Sequence, residues 1–294
     1  MSCLSLRLRC LFVTLCVFLA SGCSLHSFPT ASELATRGGF IRHVFTAPDF
    51  DIVGYTRYAP DSALTVYIEG DGRAWLTRNQ PSSDPTPGLP LALALAVLDH
   101  TPNKVYLARP CQFTAGTPEF RDCTIEDWTS GRMSQAVIRS MDVALNQAKT
   151  ESGAQHIHLV GYSGGGGIAI LLAARRKDVA SIRTVAGNLN IDLWTRQHNI
   201  SPLVHSLHPE DHAGAVRHIS QTHYVGAKDT NITETITSSF IKASSGNLSD
   251  MQVIPNCTHS TGWEEQWSHL LHEYQQKQCR QKGQCKGDAD DFLR

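Results

Sequence analysis

Three residues able to transfer an acyl group between them stand far apart in this chain, each at the end of an apolar run. Ser163 is the centre of Gly161-Tyr162-Ser163-Gly164-Gly165, directly after His156-Ile157-His158-Leu159-Val160. Asp229 ends the stretch Thr222-His223-Tyr224-Val225-Gly226-Ala227-Lys228-Asp229, and His259 follows Met251-Gln252-Val253-Ile254 after a short loop. A serine hydroxyl is a weak nucleophile until an imidazole takes its proton. The imidazole in turn needs a carboxylate that fixes its tautomer and stabilises the cation it becomes. Ser163 would attack, His259 would take the proton and Asp229 would orient the imidazole. Asp192 is the alternative acid, and the other reading of Asp229 is a turn residue.

The Gly-x-Ser-x-Gly spacing has a mechanical reason. A buried strand that turns sharply into a helix forces the corner residue into a strained conformation, and side chains two residues to either side would collide. Gly161 and Gly165 remove those collisions. The turn lifts Ser163 Oγ above the carboxyl edge of the sheet, and the helix starting near Gly164 directs free N–H groups and its positive end at the same point. The pattern from Ile168 to Arg176 reads as that helix, closed by basic residues. A phosphate cradle is not supported, since no Gly-Lys-Ser/Thr follows and Gly-x-Gly-x-x-Gly is not matched.

Around this corner, strand-type and helix-type runs alternate. Residues 40–45 and 52–58 read as an antiparallel pair, and 64–68, 104–108, 156–161, 182–186, 222–225 and 251–254 as further strands. Helical runs at 89–98, 134–149, 168–176 and 262–278 lie between or after them. This alternation predicts an α/β fold, a mostly parallel central sheet with helices on both faces. Parallel strands place their carboxyl ends on one side, so Ser163, Asp229 and His259 can meet there. The stretch 187–217 lacks a clear pattern, holds Trp194 and Pro202, and reads as a small lid or as a surface loop with a short helix. His156 and His158 read as core residues. His205, His208 and His212 read as a solvated face, because Pro209 interrupts the spacing a metal site on a helix would need.

Residues 1–22 combine Arg7 and Arg9, an apolar stretch from Cys10 to Ala20 and small residues, the pattern of an export signal. About eleven apolar residues are too few to span a bilayer core, which needs about twenty. Leu19-Ala20-Ser21-Gly22-Cys23 resembles the cleavage box of bacterial lipoproteins, in which the cysteine is lipidated and becomes the first mature residue. Ser24 after it resembles the outer-membrane sorting pattern. That resemblance implies a membrane partner reached through Cys23, a tether over 23–37 and a single domain over 38–294. Without the signal, 272 of the 294 residues remain, enough for one large domain, with 24 basic and 27 acidic side chains in no long run. Nothing in that charge pattern supports nucleic-acid binding.

Of nine cysteines, five thiols remain for an oxidising compartment once the signal and Cys23 are set aside. Cys111 with Cys123 and Cys279 with Cys285 bracket short loops and form the preferred pairs, leaving Cys257 free. A bridge from Cys257 to Cys279 or Cys285 is the alternative. No Cys-x-x-Cys suggests a metal.

With Gly161-Tyr162-Ser163-Gly164-Gly165, Asp229 and His259 in this order, the chain resembles the α/β-hydrolase family over about residues 40–280. The resemblance implies hydrolysis of an ester, thioester or amide through an acyl-serine, without metal or organic cofactor, on a small-molecule or lipid-like acyl substrate. It also implies an oxyanion hole formed by the Gly164 amide and that of Asp71 or Gly72, in the loop Glu69-Gly70-Asp71-Gly72. Glu69 departs from the family, where histidine is usual, and its charge needs a partner, expected to be Arg73 or Arg109. A peptidase or amidase would share these residues, and a non-catalytic binding module on the same fold is the competing class.

Overall fold

Strands that read as continuous apolar runs lie at the centre of the sheet, where both faces are covered. The computed structural model describes residues 29–60, 62–245 and 248–281. Its strands are β1 (Ile41–Phe45), β2 (Ile52–Arg57), β3 (Leu64–Ile68), β4 (Trp75–Thr77), β5 (Gln80–Pro81), β6 (Lys104–Leu107), β7 (Ile157–Tyr162), β8 (Val179–Val185), β9 (Ser220–Gly226) and β10 (Ser249–Ile254). Eight of them form one sheet in the order β1-β2-β6-β3-β7-β8-β9-β10. The pairs from β6 to β10 are parallel, whereas β1 and β2 add an antiparallel edge. β4 and β5 form a separate small hairpin. Every residue of β3 and β6 is buried, as a strand covered on both faces requires.

The helices are α1 (Ala31–Arg37), α2 (Leu91–Leu98), α3 (Gln135–Ser152), α4 (Gly164–Ala173), α5 (Ile191–Gln197), α6 (Glu234–Ser244) and α7 (Trp263–Gln281). On one face α3, α4 and α6 bury Val137, Met141, Leu145, Ile168, Leu171 and Phe240 against the sheet. On the other, α1, α2 and α7 bury Leu34, Leu91, Leu95, Trp263 and Trp267. The expected α/β architecture is the observed one.

His156, expected in the core, is exposed just before β7, and two stretches are more ordered than their sequence suggests. Residues 31–37 were expected to be tether and instead form α1. Thr30 and Glu33 make a reciprocal capping box, and Ala31, Leu34 and Ala35 are buried. The stretch 187–217, read as a small lid or a surface loop with a short helix, holds that helix, and its Trp194 walls the cavity beside Ser163. It forms α5 and a 3₁₀ segment at Pro209–Val216, and it buries Leu189, Ile191, Leu203, Ala213 and Val216 in the core.

Cys111 and Cys123 form a disulfide, while Cys257 is free and buried, which excludes the alternative Cys257 bridges. Cys279 is also disulfide-bonded; Cys285, its expected partner, lies outside the described residues, as does Cys23.

Candidate active site

The corner between β7 and α4 carries the strain its sequence implies. Ser163 has φ 51° and ψ −121°, a region that L residues occupy only when the surroundings enforce it. A Cβ on Gly161 would meet the Gly165 carbonyl and lie 2.6 Å from Gly166 Cα. A Cβ on Gly165 would meet the Ile68 carbonyl and lie 2.5 Å from that of Glu69. The Ser163 carbonyl accepts the amides of Gly166 and Asn188, both at 2.9 Å, which locks the turn from two directions.

Ser163 Oγ lies 3.0 Å from His259 Nε2, and His259 Nδ1 lies 2.9 Å from Asp229 Oδ2. With Nδ1–H donating to the carboxylate, Nε2 is left to accept from the serine hydroxyl. The Asp229 side chain is fully buried, and its Oδ1 accepts the amides of Asn231 at 2.8 Å and Ile232 at 2.9 Å, so both oxygens are held. Two loops must approach closely for this contact. The Lys228 amide donates to the Cys257 carbonyl at 2.9 Å, and a Cβ on Gly226 would lie 2.5 Å from that same oxygen. Trp263 Nε1 donates to the carbonyls of Thr258 and His259, fixing the histidine loop from below.

Asp192 is not part of this arrangement. It is 46% exposed and faces His208 Nδ1 at 3.4 Å. Asp192, His208 and Glu210 are the one group of three candidate metal ligands among the described residues. Glu210 there accepts the Ile191 and Asp192 amides, so it caps α5.

As the first residue of α4, Gly164 has an amide without an intrahelical carbonyl. In the facing loop, neither Asp71 nor Gly72 gives its amide to a backbone carbonyl among the described residues. Gly72 has φ +63°, and a Cβ there would strike the Pro85 carbonyl, so glycine is required.

Glu69 corrects an expectation, because no arginine among the described residues forms an ion pair with it. Its Oε1 accepts the Gly70 amide at 2.9 Å and its Oε2 is 3.2 Å from the Tyr106 hydroxyl, while the Ala92 and Leu93 amides at the start of α2 act on it electrostatically. Burial pushes the Glu69 carboxyl up to about 7 against those hydrogen bonds.

The arginine belongs to Asp71 instead. Arg109 Nη1 is 3.2 Å from Asp71 Oδ1, and Arg132 Nη1 is 2.7 Å from Oδ2. Burial alone would raise the Asp71 carboxyl; the two guanidinium groups outweigh it and hold the group below its ordinary value. Arg132 is a residue that sequence reasoning missed. It lies in the loop before α3 and reaches Asp71 only through the fold.

Ser163, His259 and Tyr162 open into a cavity of about 500 Å³ whose walls include Trp75, Arg132 and Trp194. A putative α/β hydrolase of Agrobacterium tumefaciens aligns with a TM-score of 0.56 at 13% identity, over 83% of this chain and 97% of that one. The chain has the α/β-hydrolase fold. An esterase of Pyrococcus furiosus aligns with a TM-score of 0.59 at 12% identity, over 85% of this chain and 95% of that one. Proline iminopeptidase of Mycobacterium smegmatis aligns at 0.57 and 13% identity, over 82% and 100%. Pyrococcus horikoshii acylaminoacyl peptidase aligns at 0.57 and 9%, over 86% of this chain and 43% of that one. No family model and no curated protein sequence matches the chain. The α/β-hydrolase fold is thus shared here with esterases and peptidases alike, and the substrate must be argued from the cavity.

Proposed function

We propose that this protein is an exported, lipid-anchored serine hydrolase of esterase type, acting through an acyl-serine intermediate. The observation that carries the reading is the unbroken run from Ser163 through His259 to Asp229, built on a strained corner and opening into a cavity. As Ser163 Oγ attacks the substrate carbonyl carbon, its proton passes to His259 Nε2, and Asp229 stabilises the resulting imidazolium. The carbonyl oxygen becomes an oxyanion beside the Gly164 amide and that of Asp71 or Gly72, at the positive end of α4. His259 then gives its proton to the leaving group. The same imidazole deprotonates the water that releases the acid and restores Ser163.

Export and anchoring rest on the sequence before the described residues, where Cys23 ends a lipoprotein-type cleavage box. The Cys111–Cys123 disulfide supports an oxidising compartment. No helix among the described residues is long and apolar enough to cross a membrane.

A fluorophosphonate probe tests the chemistry, since it modifies only a serine activated beside an oxyanion site. Labelling of the full-length protein is expected at Ser163 and should be lost in Ser163→Ala and His259→Ala. Labelling by mass spectrometry elsewhere, or none on folded protein, overturns the reading in favour of a binding module. Paired p-nitrophenyl esters and p-nitroanilides then separate esterase from amidase.

A further inference from the structure

Arg132 is 7% exposed in its side chain, and a guanidinium so deeply placed costs desolvation unless each of its edges has a use. Nε donates to the Thr129 carbonyl at 2.7 Å and Nη1 to Asp71 at 2.7 Å, but Nη2 takes no partner among the described residues. The guanidinium lies 5.7 Å from the centre of the Trp194 ring, and both side chains line the cavity that Ser163 opens into. Asp71 binds Arg132 through Oδ2 and Arg109 through Oδ1, so it holds Arg132 by Nη1 and leaves Nη2 uncovered. Arg109 also donates through Nη2 to the Arg132 backbone carbonyl and so holds Arg132 in place. A second cation, Arg73, stands exposed on the same cavity wall.

Along that wall Arg132 and Arg73 face the carboxyls of Asp71 and Glu69, and Glu69 keeps its proton until near neutral pH. The position is close to the chemistry. A Cβ on Gly164 would meet Asp71 Oδ1 and lie 3.0 Å from Oδ2, the oxygen that Arg132 binds. Arg132 Nη1 and the start of α4 thus flank the same carboxylate.

We propose that Arg132 reads a carboxylate on the substrate, so that the preferred substrates of this site are acyl compounds carrying an anion near the scissile carbonyl. A guanidinium held beside an indole suits this task, since its open Nη2 can give a charge-assisted hydrogen bond to a carboxylate. The inference rests on the serine-hydrolase reading and falls with it if Ser163 takes no fluorophosphonate.

The test compares kcat/KM on matched pairs, one arm for each place the carboxylate could sit. Mono-p-nitrophenyl glutarate against p-nitrophenyl hexanoate places it on the acyl side. The butyrate ester of para-hydroxybenzoate against phenyl butyrate places it on the leaving group. In one arm the anionic substrate is expected to be preferred by about tenfold or more, the usual scale of a charge-assisted contact. Arg132→Gln should bring that ratio to within about threefold of unity, Arg132→Lys should restore part of it, and added salt should erode it in the unaltered protein. Because the readout is a ratio, a variant that folds in lower yield still reports. A protein that labels at Ser163 and hydrolyses both members of each pair equally overturns this inference and leaves the hydrolase reading standing. A preference that survives Arg132→Gln also overturns it.

Discussion

Glu69 is a carboxyl that the folded chain keeps protonated longer than the unfolded chain does, because burial raises it from about 4.5 to about 7. Between those values the native state binds more protons, so stability falls as pH rises. The contribution is complete below about 4.5 and is lost as pH passes through about 7, a span worth about 3 kcal/mol. Urea unfolding followed from pH 5 to 8 should show that decline, and Glu69→Gln, which has no proton to lose, should flatten it by a similar amount. Parallel pH profiles for the two proteins would sink the argument. Single residues also show how far the site was legible. Ser163, Asp229 and His259 could be read because each follows an apolar strand, and a parallel sheet brings such ends together. The partners of Glu69 could not, since the amides of Ala92 and Leu93 reach it only once α2 packs beside β3. Arg132 carried no local signal, as nothing near it in sequence says what a loop arginine will face.

Between β6 and α3, the segment closed by Cys111 and Cys123 acts as a brace for the loop that faces Ser163. Gln112, next to the disulfide, donates through Nε2 to the Gly70 carbonyl at 3.0 Å and accepts the Arg109 amide at 3.0 Å. Arg109 then reaches Asp71. A cross-link over 12 residues removes loop entropy from the unfolded chain worth about 3 kcal/mol. Replacing both cysteines by alanine should lower Tm by about 5–10 °C in a domain of this size. If the brace also sets the Gly70–Asp71 loop, kcat should fall more than KM rises, whereas a change in Tm alone would reduce the disulfide to a staple. Elements differ in legibility for related reasons. The central strands stand out as buried apolar runs, and α3 shows both its Ser134 cap and its left-handed Gly153 end. By contrast α6 is Glu-Thr-Ile-Thr-Ser-Ser-Phe-Ile-Lys-Ala-Ser, rich in residues of weak helix preference, and it is helical because Ile236, Thr237, Phe240 and Ser244 bury one face. Helix α1 has only seven residues and depends on its cap and on the buried face it shares with α2.

At the scale of the whole molecule, the position of α1 limits how the proposed lipid anchor would seat the protein at a membrane. Its docked face begins at Ala31, so a lipid on Cys23 would leave only the seven residues 24–30 between anchor and body. Even fully extended they reach about 25 Å, less than the breadth of such a domain, which keeps the cavity within a short, bounded distance of the bilayer surface. Electrostatics offers no substitute for that anchor. Residues 23–294 carry 24 basic against 27 acidic side chains without a basic run, so an anionic leaflet would not attract them. Several acyl chains on one cysteine, each buried methylene contributing about 0.8 kcal/mol, hold effectively permanently. The full-length protein should therefore remain with membranes through washes in high salt and alkaline carbonate. Cys23→Ser should move it to the soluble fraction with fluorophosphonate labelling of Ser163 intact, since α1 and everything after it packs without the lipid. Retention of Cys23→Ser in washed membranes would place the attachment elsewhere in the chain, and loss of labelling on release would mean that the bilayer takes part in shaping the site.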